Sequence, residues 1–180
     1  MNYLFFDIEC ANCFNGKGKI YSFGYLITDS DFNIISPPED ILINPDCKFD
    51  PYVKKNILVY DRALIKSKPK FDQVYPIIKK LMTQKDTLCF AYGSDNDQHF
   101  LADDCERYSL KKIKAKIFDI QKLIKLAENK NARKLSIEFE ERFGNLGSGA
   151  HRSDVDAVRT MMIAKQVCYA SKKALHEYFL

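Results

Sequence analysis

Tyr3-Leu4-Phe5-Phe6-Asp7-Ile8-Glu9 decides how the rest of this chain reads. From Tyr3 to Ile8 it is apolar at every position but Asp7. Such a run predicts a strand buried on both faces. Alternation along a strand puts Asp7 and Glu9 on one face, two residues apart. Two carboxylates held that close at the end of a buried strand repel each other and lose hydration. A divalent cation with oxygen ligands is the natural compensation. The plain alternative is a pair of solvated acids in the turn after the strand. An isolated Asp-x-Glu is too short to choose between them.

The bulk of the sequence narrows the classes. A chain of 180 residues is most simply one domain, 1–180, long enough to bury a full core. No apolar run is long enough to span a membrane. The N-terminus lacks the charged segment, apolar core and cleavage site of a signal peptide, so a cytoplasmic protein with no membrane partner is expected. The net charge of +4 tolerates a nucleic-acid partner without demanding one. Of the six cysteines, Cys89, Cys105 and Cys168 fall in apolar patterns and read as small hydrophobes. Cys10 and Cys13 form one C-x-x-C. With no second pair and no nearby His it is a weak zinc signal, and Phe14-Asn15-Gly16-Lys17-Gly18 follows where a redox motif would open a helix.

Outward from Glu9, residues 12–19 make a turn rich in Gly and Lys. Gly16-Lys17-Gly18-Lys19 lacks the spacing of a P-loop. It reads as exposed lysines, or as a loop near the acids that touches phosphate. Residues 20–29 are aromatic and β-branched, a second strand. Asp29-Ser30-Asp31 turns it into a third, 32–36, which Pro37-Pro38 stops, so the first three strands form an antiparallel meander. Residues 41–45 suit a short edge segment. Residues 46–69 show no clear period, with room for one short helix near 51–58 and with solvated lysines at Lys54, Lys55, Lys66, Lys68 and Lys70. A helical stripe runs through 71–83. A compact buried strand occupies 87–92, and a helix opening at Ser94 carries the stripe Asp97, Phe100, Leu101, Cys105 and Tyr108. A short strand at 116–119 leads into helices at 120–128 and 133–143, the latter closed by Gly144. A loop at 144–149 leads to His151, and a long apolar helix fills 153–170, continued or followed by 171–180. A meander followed by alternating helices and strands gives an α/β fold: a mixed five-stranded sheet flanked by helices.

Three further residues bear on the first pair of acids. Asp97 heads an apolar stripe, but Ser94-x-x-Asp97 also fits a capping box. Asp156 poses the same question. Ser153-x-x-Asp156 fits a capping box, yet Asp156 leads a stripe through Thr160, Ile163 and Val167 that should face the core, where a carboxylate needs a partner. Asp154 points toward polar positions and reads as solvated. His151 precedes Asp156 by five residues. On one helix that is about 500° of rotation, so the two converge only if His151 lies on the preceding loop, where Gly147-Ser148-Gly149-Ala150 supplies the freedom. A His there is a candidate general base or an exposed loop residue.

Together these residues resemble the DEDDh family of 3′–5′ exonucleases, the DnaQ-like group that includes RNase T, oligoribonuclease and proofreading subunits. Phe6-Asp7-Ile8-Glu9 matches the first motif. Asp97 with Phe100-Leu101 three and four residues on matches the second, a spacing that favours Asp97 over Asp95. His151-Arg152-Ser153-Asp154-Val155-Asp156-Ala157 matches the third, with Ser153 where the family has Ala. Phe118-Asp119 and the Pro69-x-Phe71 helix start are further landmarks. Gly93 stands where many members have Asn, and Cys10-Ala11 replaces the usual residues after the Glu.

The resemblance implies an RNase H-like sheet with strands 1–3 antiparallel and strands 4 and 5 parallel to strand 1. It implies two divalent cations, Mg²⁺ or Mn²⁺, held by Asp7, Glu9, Asp97 and Asp156. Asp7 would bridge them, Glu9 and Asp156 would serve the nucleophile side, and Asp97 would act partly through water. His151 would accept a proton from the attacking water. The substrate would be the 3′ end of single-stranded nucleic acid, RNA or DNA, and the product a nucleoside 5′-monophosphate. Backbone amides after Glu9, at Cys10 and Ala11, with Phe14, Tyr92 or Phe23 nearby, would hold the terminal nucleotide. Several relatives work as homodimers. The competing readings are an accessory or proofreading subunit acting through a polymerase or other protein partner, a nucleic-acid-binding module without catalysis, and an ordinary α/β protein with two capped helices.

Overall fold

Alternation along the first apolar stretch sorts its side chains between two cores. The computed structural model describes residues 1–145 and 151–180. Strand β1 (Asn2–Cys10) sends Leu4, Phe6, Ile8 and Cys10 to one side of the sheet and Tyr3 and Phe5 to the other. Tyr3, Phe5 and Phe6 are fully buried, each contributing roughly 1.5–3 kcal/mol of apolar transfer. β2 (Ile20–Asp29) and β3 (Ile34–Leu42) continue antiparallel from β1. β4 (Thr87–Ala91) runs parallel to β1, and β5 (Ile117–Asp119) parallel to β4. The five-stranded sheet has the order β3-β2-β1-β4-β5 and is the mixed arrangement expected.

Helices cover both faces. α3 (Phe71–Thr83) and α4 (Ser94–Arg107) pack on the Leu4/Phe6/Ile8 side through Phe71, Val74, Ile78, Leu101 and Cys105. α5 (Ile120–Glu128), α6 (Leu135–Phe143) and α7 (Ser153–Ser171) cover the Tyr3/Phe5 side. Arg142 pins α6 there. It donates to Glu128, Glu138 and Gln166, and Glu138, at 1% exposure, needs that cation because an unpaired buried carboxylate is costly.

Several expectations are corrected. β3 does not stop at Pro37-Pro38 but runs through them to Leu42, and it absorbs the first two residues of the edge segment expected at 41–45. As an edge strand it pairs only with β2, and both prolines are exposed where the register with Tyr25 and Ile27 slips, so no ladder bond is lost. Phe32 is not in the strand. It sits in the turn with φ +62° and its ring fills the second core. Residues 46–69 hold two short helices, α1 (Pro51–Asn56) and α2 (Arg62–Lys66), where one was expected. A helix of five residues has no readable period, but its Asp61 N-cap was a usable signal. After α7 the chain closes with a 3-10 turn at Leu175–Tyr178, anchored by buried Leu175. Gly144 ends α6 with φ +78°. The expected Gly147-Ser148-Gly149-Ala150 linker lies outside the described residues.

Candidate active site

β1 carries Asp7 and Glu9 on the side of the sheet that α7 covers, since they continue the Tyr3/Phe5 alternation. How closely α7 comes is set by a glycine. Gly24 on β2 pairs with Asp7. A Cβ on Gly24 would lie 2.0 Å from both the Asp154 amide nitrogen and the Ser153 carbonyl carbon. The first turn of α7 therefore rests directly on the backbone of β2. That approach brings Asp156 over the end of β1, and carboxylate oxygens of Asp7, Glu9 and Asp156 lie within 4.8 Å of one another. A further bond holds the helix start: Ser153 Oγ lies 2.7 Å from Ser22 Oγ. Ser22 donates its one hydroxyl proton to Asp40, which also accepts from Tyr60 at 2.6 Å. Ser153 is thereby left as the donor to Ser22.

Neither capping box forms. Gly93 caps α4 with φ +72°, and Arg152 caps α7 without a side-chain bond, so Ser94 and Ser153 lie inside their helices. Asp97 and Asp156 are thus free of capping. Asp97 is 5% exposed beside the other acids, whereas Asp95 is exposed. Asp156 accepts from Arg159 Nη1 at 2.9 Å and from the His151 amide at 3.1 Å. His151 stands before the helix with φ +68°, its side chain half-exposed and its Nδ1 3.7 Å from Glu9 Oε1. Asp154 is not solvated as expected: its side chain is 13% exposed and pairs with Arg152 at 2.8 Å.

Burial dominates the electrostatics. It pushes Asp7 well above the usual carboxylate range, and the charges of Asp156 and Asp40 push it further. Burial followed by Asp7, Asp156 and Asp40 raises Glu9 to about 9. Asp97 is raised by burial, then by Asp7 and Glu9, with a small offset from the Ile8 amide. Asp156 is raised by burial and partly restored by Arg159. Crowded oxygen donors short of counter-charge are a fitting set for a hard divalent ion. Among the described residues, Asp7, Glu9 and Asp156 are the group placed to hold one. The Cys10–Cys13 pair is not, though a hydrogen bond from Cys10 holds the exposed Cys13 thiol down at about 7.

This arrangement has a pH signature. Glu9 has a folded value near 9 against 4.5 unfolded, so the fold favours its protonated form. Its contribution to stability is complete below the unfolded value and is lost as pH rises through the folded one. In chelator, the melting temperature is expected to fall between pH 4.5 and about 9. Mn²⁺ is expected to restore it by an increment that grows with pH. Equal Mn²⁺ increments across that range would contradict the electrostatic account.

The nucleotide-binding candidates fare unevenly. Cys10 and Ala11 are buried, and the Ala11 amide already donates to the Lys19 carbonyl at 2.8 Å. The Phe23 ring is fully buried and stacks on Phe6 at 5.5 Å in the core. The Tyr92 hydroxyl donates to the Arg133 carbonyl, tying the ring toward α6. Phe14 is 54% exposed and available to stack. The sequence reading passed over Gly24, Asp40, Ser22, Tyr60 and Arg159. Gly24 carried a signal, since a lone glycine inside a strand marks a close approach. Asp40 carried none, because the strand was ended at the prolines.

Gly24→Ala follows as a test of this packing. The added methyl must displace the start of α7, an overpacking cost of about 1–3 kcal/mol. It should also remove Mn²⁺ stabilisation, because Asp156 moves with the helix. A variant that melts lower but keeps the full Mn²⁺ increment would separate the glycine from the acids.

The exonuclease family model of RNase T matches residues 4–164. No protein of curated function matches the chain by sequence. Among solved structures, a 3′-exonuclease described as recognising the 3′ end of a histone mRNA stem-loop is 16% identical. It aligns with a TM-score of 0.80 over 96% of this chain and 84% of its own. E. coli exonuclease I in complex with a dA16 oligonucleotide is 18% identical, with a TM-score of 0.78 over 99% of this chain and 42% of its own. A zinc-bound form of E. coli exonuclease I with single-stranded DNA is 20% identical, with a TM-score of 0.78 over 98% and 42%. The chain spans less than half the length of exonuclease I. At these identities the likeness is one of fold.

Proposed function

Because the chain belongs to the RNase T exonuclease family, we propose that it is a metal-dependent 3′–5′ exonuclease that removes nucleoside 5′-monophosphates from single-stranded RNA or DNA. The observation that carries this reading is the gathering of Asp7, Glu9 and Asp156 within 4.8 Å, with buried Asp97 near enough to feel the charges of Asp7 and Glu9. Asp7, Glu9, Asp97 and Asp156 would hold two divalent ions, Mg²⁺ or Mn²⁺. When bound, such ions supply the positive charge that stabilises the attacking and leaving oxygens of a phosphodiester.

The chain's own groups do the rest. His151 is half-exposed beside Glu9 and stands before α7 with only its backbone amide bonded to that helix, so its imidazole can reach an incoming water and accept its proton. Arg159 holds one oxygen of Asp156 and leaves the other turned toward the His151 amide, which fixes the carboxylate's orientation. Ser153, Ser22 and Asp40 hold the first turn of α7 against β2 and so keep Asp156 over Asp7. Exposed Phe14 offers a stacking face for a base. The nucleic acids of two similar structures, a histone mRNA stem-loop and dA16, support a nucleic-acid 3′ end as the substrate class.

The deciding experiment is a digestion of 5′-labelled single-stranded RNA and DNA of one sequence with Mn²⁺, Mg²⁺ or chelator. The expected result is a metal-dependent ladder shortening from the 3′ end. Absence of cleavage on both, with no Mn²⁺ effect on melting, would overturn the reading.

A further inference from the structure

A cationic groove lies beside the loop that follows β1, and the catalytic reading makes no use of its cations. The loop after Ala11 is tied to the segment after β3. Asn12 Nδ2 donates to the Lys48 carbonyl at 2.8 Å, and the Asp50 amide donates to the Ala11 carbonyl at 2.8 Å. A hollow of about 410 Å³ lies there, walled by Asn12, Phe14, Lys17, Lys19, Lys48 and Arg107. A second, of about 790 Å³, shares Cys47 and Lys48 with it and continues past Lys54 to Arg62 and Lys66. The two hollows adjoin at Cys47 and Lys48.

Lys17 pairs with Glu106 at 3.0 Å and Arg107 with Asp104, but the other cations of the groove are not balanced by the protein. Lys19, Lys48, Lys54, Arg62 and Lys66 form no ion pair with a described residue. Among the described residues, Asp46 is the one acid on the wall of the larger hollow, and Lys70 already pairs with it at 2.6 Å. The fold therefore gathers cations around a concavity where they repel one another. The tertiary structure also sorts lysines that look alike in sequence. Lys54 and Lys66 line the groove, while Lys55 and Lys68 do not. Phe14, 54% exposed, offers an apolar ring on the wall of the smaller hollow.

A concave run of unpaired cations next to an exposed ring matches a flexible polyanion whose bases stack. We propose that this groove holds the sugar–phosphate backbone of a single-stranded nucleic acid on the 5′ side of the residue being removed. The inference rests on the exonuclease reading and adds to it a length dependence. On this placement a short substrate makes fewer of these contacts than a long one.

The test compares the wild type with the triple variant Lys48→Ala, Arg62→Ala, Lys66→Ala on RNA and DNA of three and twenty nucleotides. The variant is expected to lose about 10-fold or more in kcat/KM on the 20-mer and to stay within about twofold on the 3-mer. In an Asp7→Asn background, which binds without cutting, the log–log salt slope for the 20-mer should become shallower by about 2, at about 0.7 per lost phosphate contact. The charge-keeping variant Lys48→Arg, Arg62→Lys, Lys66→Arg should retain the wild-type slope. A loss confined to RNA or to DNA supports the groove and names its strand. Equal losses on both lengths, or an unaffected 20-mer, overturn the groove while the wild type's own cleavage leaves the exonuclease reading standing. A wild type that cuts neither length overturns both.

Discussion

Asp7→Asn is expected to abolish metal-dependent hydrolysis, by at least about 10³-fold, the upper end of what one electrostatic group supplies, while the protein stays folded. Asp7 lies centrally among the acids. Its carboxylate lies within 4.8 Å of those of Glu9 and Asp156, and its charge acts on buried Asp97. An amide of the same shape keeps one oxygen but removes the charge that a divalent ion needs. The same change should raise the melting temperature in chelator, because it relieves repulsion in a cluster that burial already penalises. Activity and metal-free stability thus move in opposite directions, as expected where a site is built at the expense of the fold. The check is a digestion assay beside melting curves in chelator and in Mn²⁺. A folded variant with full activity would refute the site.

His151→Ala should lower turnover by about 10²-fold or more, the scale of a positioned general base. Its imidazole lies near Glu9, but only its backbone amide touches Asp156, so losing the ring should spare the carboxylates. Mn²⁺ should therefore stabilise this variant as much as the wild type, which separates a proton acceptor from a metal ligand. The pH–rate profile should change with the loss of the imidazole, and an unchanged profile would argue against this role.

Much of the architecture was legible because local signals agreed with the global fold. β2, α3 and α5 begin and end where their patterns do. A strand buried on both faces carries an uninterrupted apolar run, and an amphipathic helix repeats its stripe. β3 was cut short because proline reads as a stop. Its position at the edge of the sheet makes proline harmless, and edge position is not a local property. The two capping-box patterns do not form for a related reason. Ser94 and Ser153 stand at the right spacing, but Gly93 and Arg152 hold the caps, and Ser153 turns to Ser22, 131 residues away in sequence.

The sequence by itself determined the alternation that puts Asp7 and Glu9 on one face, the apolar stripe that carries Asp156 inward, and the family pattern joining them to Asp97 and His151. These depend on neighbours within a few residues, where backbone geometry fixes direction. Tertiary structure alone decided how near the acids come. That distance depends on a glycine without a side chain on β2, on a Ser–Ser–Asp relay from α7 to β3, and on Arg159 beside Asp156. It also decided which lysines share a groove and which aromatic rings stay free of the core. Contacts between distant segments set these features, because the energy of crowding charges is a function of distance in space, and a sequence lists only distance along the chain.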